Sequence, residues 1–247
     1  MAHVQDAYEA LYTGKSYQHE IGLVDILLDR RLPVSEPGDA PLPPRRVLEV
    51  GCGPGLRLAV LQQWRGKYLP EGLDRDPEML ALAHRRLHDV PLHVGDVRDF
   101  ALERRYDAVL CLFGMIGYME TPADLARAIG RMAEHLVPGG VLLLEPWLSP
   151  ELAQDGHLKA DSVRRGSLVV GRMNYTRVVG NRTLLDVHYL IGDEQGVRHV
   201  QDMRALTLFT DAEYRAAFTQ AGFDAVELEA YGPQGRGLYV VQREESK

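Results

Sequence analysis

Cysteine is nearly absent from this chain. The 247 residues include two, Cys52 and Cys111, with no C-x-x-C pair and no Cys/His cluster. That excludes a disulfide framework and a structural zinc site, and it suits reduced thiols in a cytoplasmic protein. Long apolar runs are missing too: stretches such as GGVLLLEPWL stop well short of the about 20 residues a spanning helix needs. The start, MAHVQDAYEALYTGKSY, has no positive segment ahead of an apolar run, so no secretory signal and no membrane association are expected. Basic blocks are also lacking. The formal net charge is −7, and the arginine pairs (Arg30–Arg31, Arg45–Arg46, Arg85–Arg86, Arg104–Arg105, Arg164–Arg165) are scattered, with no stacking aromatics among them. They read as solvated helix ends, and nucleic acid is not expected as a partner.

What is present is ordinary for a soluble globular protein: 45% hydrophobic and 26% charged residues, enough to bury one full core. The first thirty-odd residues place apolar side chains at helical spacing (YEALY, EIGLVDILLDRRL). PVSEPGDAPLPPRR is a connection. From Arg46 a strict alternation sets in. Strand RVLEV leads to helix LRLAVLQQW, strand YLPEGLD to helix PEMLALAHRRL, and strands LHVGD and YDAVLCLFG to helix TPADLARAIGRMAEHL and strand GGVLLLEP. Apolar strands alternating with amphipathic helices imply a doubly wound α/β fold with a parallel sheet covered on both faces. After Pro150 the pattern changes. SLVVGRMNYTRVV, RTLLDVHYLIG and VRHVQDMRALTLFT read as strands joined by hairpin signals, GN and DEQG. This is an antiparallel β excursion expected to cover the active site. Helix DAEYRAAFTQAGF and strands AVELEAYG and GLYVVQR close the chain as an antiparallel pair. The expected organisation is a single domain: N-terminal lid helices and linker at 1–45, a core at 46–150, the insertion at 151–209, and a final helix and strand pair at 210–247.

The chemistry centres on VLEVGCGPGL, a strand running into three glycines. Such a turn lets backbone approach a ligand, and the following helix offers free N–H groups. The GxxxxGK[ST] phosphate loop is absent. The dinucleotide fingerprint GxGxxG fails as well, because Leu56 stands where its third glycine belongs, which argues against an NAD-linked oxidoreductase. The glycines fall instead at Gly51, Gly53 and Gly55, preceded by Glu49, as E-x-G-x-G-x-G. Downstream, Asp74 ends the second strand at the interval of a ribose-binding carboxylate, and Asp96 ends the third. Each acid alone reads equally as a helix cap.

This form resembles motif I of the class I S-adenosylmethionine (SAM) methyltransferases, whose fold is a Rossmann-like seven-stranded sheet. Finer strings resemble one branch, the N,N-dimethyltransferases of dTDP-linked amino sugars of the desosamine and mycaminose type: GKSY, GDVRDF, EHLVPGGVLLLEPW, GVRH, LTLFTDAEYRAAFTQAGF and GPQGRGLYV. The resemblance implies SAM contacts at Tyr8, Glu49, Gly51, Cys52, Gly53, Gly55, Arg75 and Leu112, with Asp74 at the ribose and Asp96 with Val97 at the adenine. On the acceptor side it implies Tyr17, Glu145, Trp147, Arg172 and Arg236, the last a bidentate diphosphate contact. Two strings depart from the branch at the acceptor pocket: its FSS is FGM here, and its EPWWFP is EPWLSP, with Leu148 in place of an aromatic.

The implied reaction is methyl transfer to the amine of a small molecule, a nucleotide-linked amino sugar, by direct in-line displacement, leaving S-adenosylhomocysteine. Tyr118, after the fourth strand, is the candidate catalytic group, orienting the amine or relaying its proton. No metal is expected. The enzyme is expected to act as a monomer or homodimer. The alternatives are a small-molecule methyltransferase with another N- or O-acceptor, and a non-catalytic SAM-binding protein.

Overall fold

A computed structural model describes residues 4–13, 15–34, 40–230 and 232–244. Part of the expected connection, residues 35–39, lies outside these, as do Gly14 of GKSY and Tyr231. Helices α1 (Val4–Tyr12) and α2 (Tyr17–Asp29) come first. They are followed by β1 (Arg45–Val50), α3 (Leu56–Gln63), β2 (Tyr68–Asp74), α4 (Pro77–Arg86) and β3 (Leu92–Val94). Next are β4 (Tyr106–Cys111), a 3-10 turn (Met115–Tyr118), α5 (Pro122–Glu134) and β5 (Leu136–Leu144). Four strands, β6 (His157–Arg165), β7 (Leu168–Val179), β8 (Arg182–Asp193) and β9 (Gly196–Thr207), precede α6 (Asp211–Gln220), β10 (Val226–Glu229) and β11 (Leu238–Gln242). Two compact units result: Met1–Lys15 with Leu148–Phe209, and Ser16–Trp147 with Thr210–Lys247.

The larger unit holds a seven-stranded sheet in the order β10-β11-β5-β4-β1-β2-β3. Pairs among β1 to β5 are parallel, while β11 runs antiparallel to β5 and to β10. Apolar runs form these strands because both faces are covered: Val47, Leu48 and Val50 of β1 and Ala108 to Leu110 of β4 are all fully buried. Helix α5 buries Leu125, Ala128, Ile129, Met132 and Ala133, one stripe at helical spacing, and starts where Thr121 accepts the Asp124 N–H ahead of Pro122. β5 begins earlier than GGVLLLEP suggests. Leu136 already pairs with Tyr106, and the register then shifts across Pro138–Gly140 before Val141 meets Ala108, an irregularity these residues absorb. β1 stands where the strand order reverses, and in such sheets the ligand crevice lies beyond the carboxyl ends of the strands at that point.

The smaller unit is a four-stranded antiparallel meander, β6-β7-β8-β9. Its three connections are two-residue loops, since Arg165 pairs with Leu168, Val179 with Arg182, and Asp193 with Gly196. β7, β8 and β9 match the three expected runs. β6 was not among them: HLKADSVRR is an edge strand exposed along most of its length, so no apolar alternation marks it. Ala7 and Ala10 of α1 pack on Val170, Val187, Tyr189 and Ile191 of one sheet face. The opposite parity carries Leu158, Met173, Tyr175, Leu190, Val197 and Met203, all exposed. No helix among the described residues is long and apolar enough to cross a membrane.

Candidate active site

Beyond β1 the chain turns through Gly51, Gly53 and Gly55, with φ of 65°, 54° and 70°. This left-handed backbone suits glycine and little else. A Cβ at Gly51 would collide with Met115, whereas one at Gly53 would meet nothing within 4 Å, so the turn is open above its middle glycine. Asp74, at the end of β2, accepts from Gly53 N at 2.7 Å and from Asp76 N at 2.9 Å. It thereby ties the second strand to the glycine turn, and its burial raises its carboxyl above the usual range. Cys52 is buried, and burial together with Glu49 pushes its thiol well up. It is a packing residue rather than a nucleophile. Next to Asp74, the Arg75 guanidinium lies 5.5 Å over the Tyr118 ring.

Asp96 follows β3 in the loop before the buried Val97. Both of its oxygens are engaged by Arg98, at 2.9 Å from Nε and 2.7 Å from Nη2, and the backbone N–H of Arg98 adds a third bond at 2.9 Å. Arg98 holds this carboxyl below the ordinary range. Leu112, just past β4, is buried at the same end of the sheet.

A chain of buried charges runs behind the glycine turn. Arg57 of α3 donates to Glu49 Oε1 at 2.8 Å and to Glu20 Oε2 at 3.0 Å. Its guanidinium lies 5.5 Å over Tyr17 and 5.4 Å over Phe113. Gln234 Nε2 donates to the other Glu20 oxygen at 2.8 Å, and Gln234 N donates to Glu145 Oε1 at 2.6 Å. The second oxygen of Glu145 accepts from Phe113 N at 2.7 Å. Helix α2, the glycine turn, the end of β5 and the β10–β11 loop are thus linked by one set of charge-assisted hydrogen bonds. Burial pushes the Glu49 carboxyl up to about 7 despite Arg57. It raises Glu145 too, against the two N–H bonds that favour its charged form. The second oxygen of Glu49 is buried and has no hydrogen-bond partner among the described residues.

At the far end of this chain the Arg236 guanidinium lies 4.3 Å over the Trp147 ring, and its charge is felt by Glu145. Tyr8 and Arg172 belong to the smaller unit. There the Tyr8 ring packs 4.4 Å from that of Tyr12 and beneath Arg204. Arg172 donates to Tyr12 Oη at 2.7 Å and to Asp161. The larger unit therefore gathers Tyr17, Glu49, Glu145, Trp147 and Arg236 with the glycine turn, whereas Arg172 is engaged by its own sheet and by α1. Among the described residues no group of three His, Cys, Asp or Glu side chains is arranged to hold a metal.

The family model described as "Methyltransferase domain" matches residues 47–140. The chain is 40% identical to the dTDP-3-amino-3,4,6-trideoxy-alpha-D-glucopyranose N,N-dimethyltransferase of Streptomyces venezuelae, over 95% of each chain. The chain belongs to the family of amino-sugar N-methyltransferases. Its fold agrees with the crystal structure of Streptomyces venezuelae DesVI at a TM-score of 0.88 and 38% identity, covering 100% of both chains. SAM-bound CalS10, an amino pentose methyltransferase from Micromonospora echinaspora, gives a TM-score of 0.80 at 37% identity, covering 98% of both.

The methyltransferase is SAM-dependent, and its donor end fits that group. An unpartnered carboxylate oxygen of Glu49 suits the ammonium of an amino acid, and the open face at Gly53 admits a ligand against backbone. Glu20 and Arg57 carried no sequence signal, and Gln234 and the Phe113–Gly114 turn fell within strings (GPQGRGLYV, FGM) compared with the branch but not expected to make these contacts. In sequence, Glu20 and Arg57 are indistinguishable from charges on solvated helix faces, and only packing shows them buried at 3% and 7% exposure.

Proposed function

We propose that this methyltransferase acts on the amine of a nucleotide-linked amino sugar. The observation that carries the acceptor half is Arg236, stacked on Trp147 and joined through Glu145 and Gln234 to the donor turn. A guanidinium stacked on an aromatic ring is a planar fork of the kind that binds a diphosphate bidentately. SAM, when bound, supplies a sulfonium-borne methyl group that passes to the amine by direct in-line displacement, leaving S-adenosylhomocysteine. The chain's own residues position the partners. Glu49 takes the ammonium, Asp74 the ribose hydroxyls, and Val97 N–H with Asp96 the adenine edge, while Arg75 and Leu112 border the same end. Holding donor and acceptor collinear is worth about 7–11 kcal/mol. Tyr118, beside Arg75, orients the amine. Glu145 acts by tying the Phe113 turn to the Gln234 loop, both oxygens being taken by backbone N–H groups. Tyr17 lies against Arg57 and borders the acceptor from there. Tyr8 on the donor side and Arg172 on the acceptor side rest on the resemblance alone.

A second reading, another small amine or phenol as acceptor, is favoured by Gly114, Met115 and Leu148, which replace two hydroxyls and an aromatic of the branch. Methyl-transfer assays with dTDP-amino sugars beside simple amines and phenols discriminate the two. Loss of turnover in Arg236→Ala confined to nucleotide-linked acceptors supports the sugar reading, and robust turnover of a free amine unaffected by that change refutes it. Of the two expected oligomeric states we favour the homodimer. The outer sheet face sets Met173, Tyr175, Leu190 and Met203 among Arg177, Asp186, His188, His199 and Gln201, and its four strands of 9 to 12 residues span roughly 800 Å², the share of one partner in a standard interface. Light scattering decides it. Two buried free thiols and a small polar acceptor suit action in the cytoplasm.

A further inference from the structure

Asp96 sits in a loop that its own backbone closes: its carbonyl accepts the N–H groups of Asp99 at 3.1 Å and of Phe100 at 2.9 Å. Among the described residues Arg98 alone donates to its carboxylate. Oδ1 takes both the backbone N–H and the Nε–H of Arg98, at 2.9 Å each, and Oδ2 takes Nη2 at 2.7 Å. An ionised carboxylate has about four lone-pair sites. Three are filled here, and the one left is on Oδ2. The paired side-chain bonds also fix the plane of the carboxylate, so the last acceptor has a set direction. Arg98 is in turn held from its other edge. Its Nη1 lies 3.8 Å from Asp124 Oδ1 in the first turn of α5, and Asp124 Oδ2 accepts from the Thr121 hydroxyl at 2.9 Å. The arginine thus spans from the loop after β3 to the start of α5. The Asp96 and Arg98 side chains are 25% and 35% exposed, so the pair is not sealed inside the core.

We infer that Arg98 is a positioning residue for donor recognition: by filling three acceptor sites of Asp96 it leaves one in a fixed direction, which accepts a single N–H and so makes the site read the 6-amino group of adenine and refuse a 6-oxo purine. This rests on the reading of Asp96 at the adenine edge. A 6-oxo group sets a second acceptor against the carboxylate with no proton between them, which repels. The Arg98 charge holds the Asp96 carboxyl below its ordinary range, so the acid stays ionised and cannot turn donor to accommodate that oxygen. Without the arginine the carboxylate is free to rotate, and the direction of its acceptor is lost.

The test is calorimetry with two ligands that differ at one position of the base, S-adenosylhomocysteine and its deaminated counterpart S-inosylhomocysteine. The parent should prefer the amino form about 100-fold or more. Arg98→Ala is expected to weaken S-adenosylhomocysteine about tenfold and the inosyl form less than about twofold, so the preference shrinks about tenfold. A merely structural role would weaken both ligands alike. In an Asp96→Asn background Arg98→Ala is expected to add less than about twofold. Arg98→Lys, which keeps the charge but not the fork, should recover only part of the preference, and it carries the test if Arg98→Ala does not fold. Equal losses for the two ligands, a loss that persists in the Asp96→Asn background, or no loss at all, overturn the role of Arg98 while the reading of Asp96 stands. A parent that binds both forms equally, or an Asp96→Asn variant with the affinity and preference of the parent, overturns that reading, and this inference with it.

Discussion

Arg57→Met removes the cation from a buried triad whose geometry sets the size of the effect. The side chains of Arg57, Glu20 and Glu49 are 8%, 3% and 1% exposed, so solvent screens their attraction little. Taking one partner out of such a group costs about 3–5 kcal/mol, because the remaining charge is buried without compensation. In a chain of this size that is a fall in melting temperature of roughly 6–20 °C, read by circular dichroism at pH 8. The pH dependence gives a second handle. The Glu49 carboxyl is already held at about 7 by burial, above its value in the unfolded chain. Between those two values the folded state binds more protons, so its stability falls as pH rises and levels off past 7. Without Arg57 the folded value climbs further, and the loss continues above pH 7 at up to about 1.4 kcal/mol per pH unit. The deficit of the variant should therefore be smallest near pH 6 and grow towards pH 8. Adding Glu20→Gln should recover part of it. A variant that melts within about 2 °C of the parent, or a deficit that is flat with pH, shows that the triad is not the buried ion network described.

Three further outcomes follow from the same geometry. Asp74→Asn removes a carboxylate that holds Gly53 N and Asp76 N and that we propose binds the ribose; SAM affinity by calorimetry should fall about 10- to 100-fold, and an unchanged affinity would remove Asp74 from the proposed donor site. If Glu49 receives the SAM ammonium as its carboxylate, affinity should rise about eightfold from pH 6 to 7.5, as a group ionising near 7 requires, and Glu49→Gln should abolish that dependence. Tyr118→Phe should lower kcat several-fold with SAM affinity intact, and little change in turnover would place Tyr118 outside the mechanism, as packing for Arg75.

Most of the architecture was legible because it rests on local rules. The glycines at 51, 53 and 55 take up left-handed backbone that few other residues tolerate, so their spacing marked an open turn after β1, and it took Glu49 before them and Asp74 and Asp96 after to suggest its ligand. α4 and α5 were legible as amphipathic stretches between apolar strands, and each begins locally, at an Asp76 or Thr121 cap followed by proline. β6 was hidden because an exposed edge strand needs no apolar face, and its pairing is stated only by its partner β7. Arg236 and Trp147 were legible as residue types that suit a phosphate and an aromatic wall, but not as a stacked pair.

The sequence alone determined the strand and helix alternation and the open glycine turn, since each depends on residues within a few positions of one another. Tertiary structure alone decided that Glu20, Arg57, Gln234 and Glu145 form one buried chain. Those contacts join residues 37 and 89 positions apart or more, and in a linear sequence a buried carboxylate looks the same as a solvated one. Only folding sets the distance between two charges and removes the water between them, which is what turns scattered polar residues into a site.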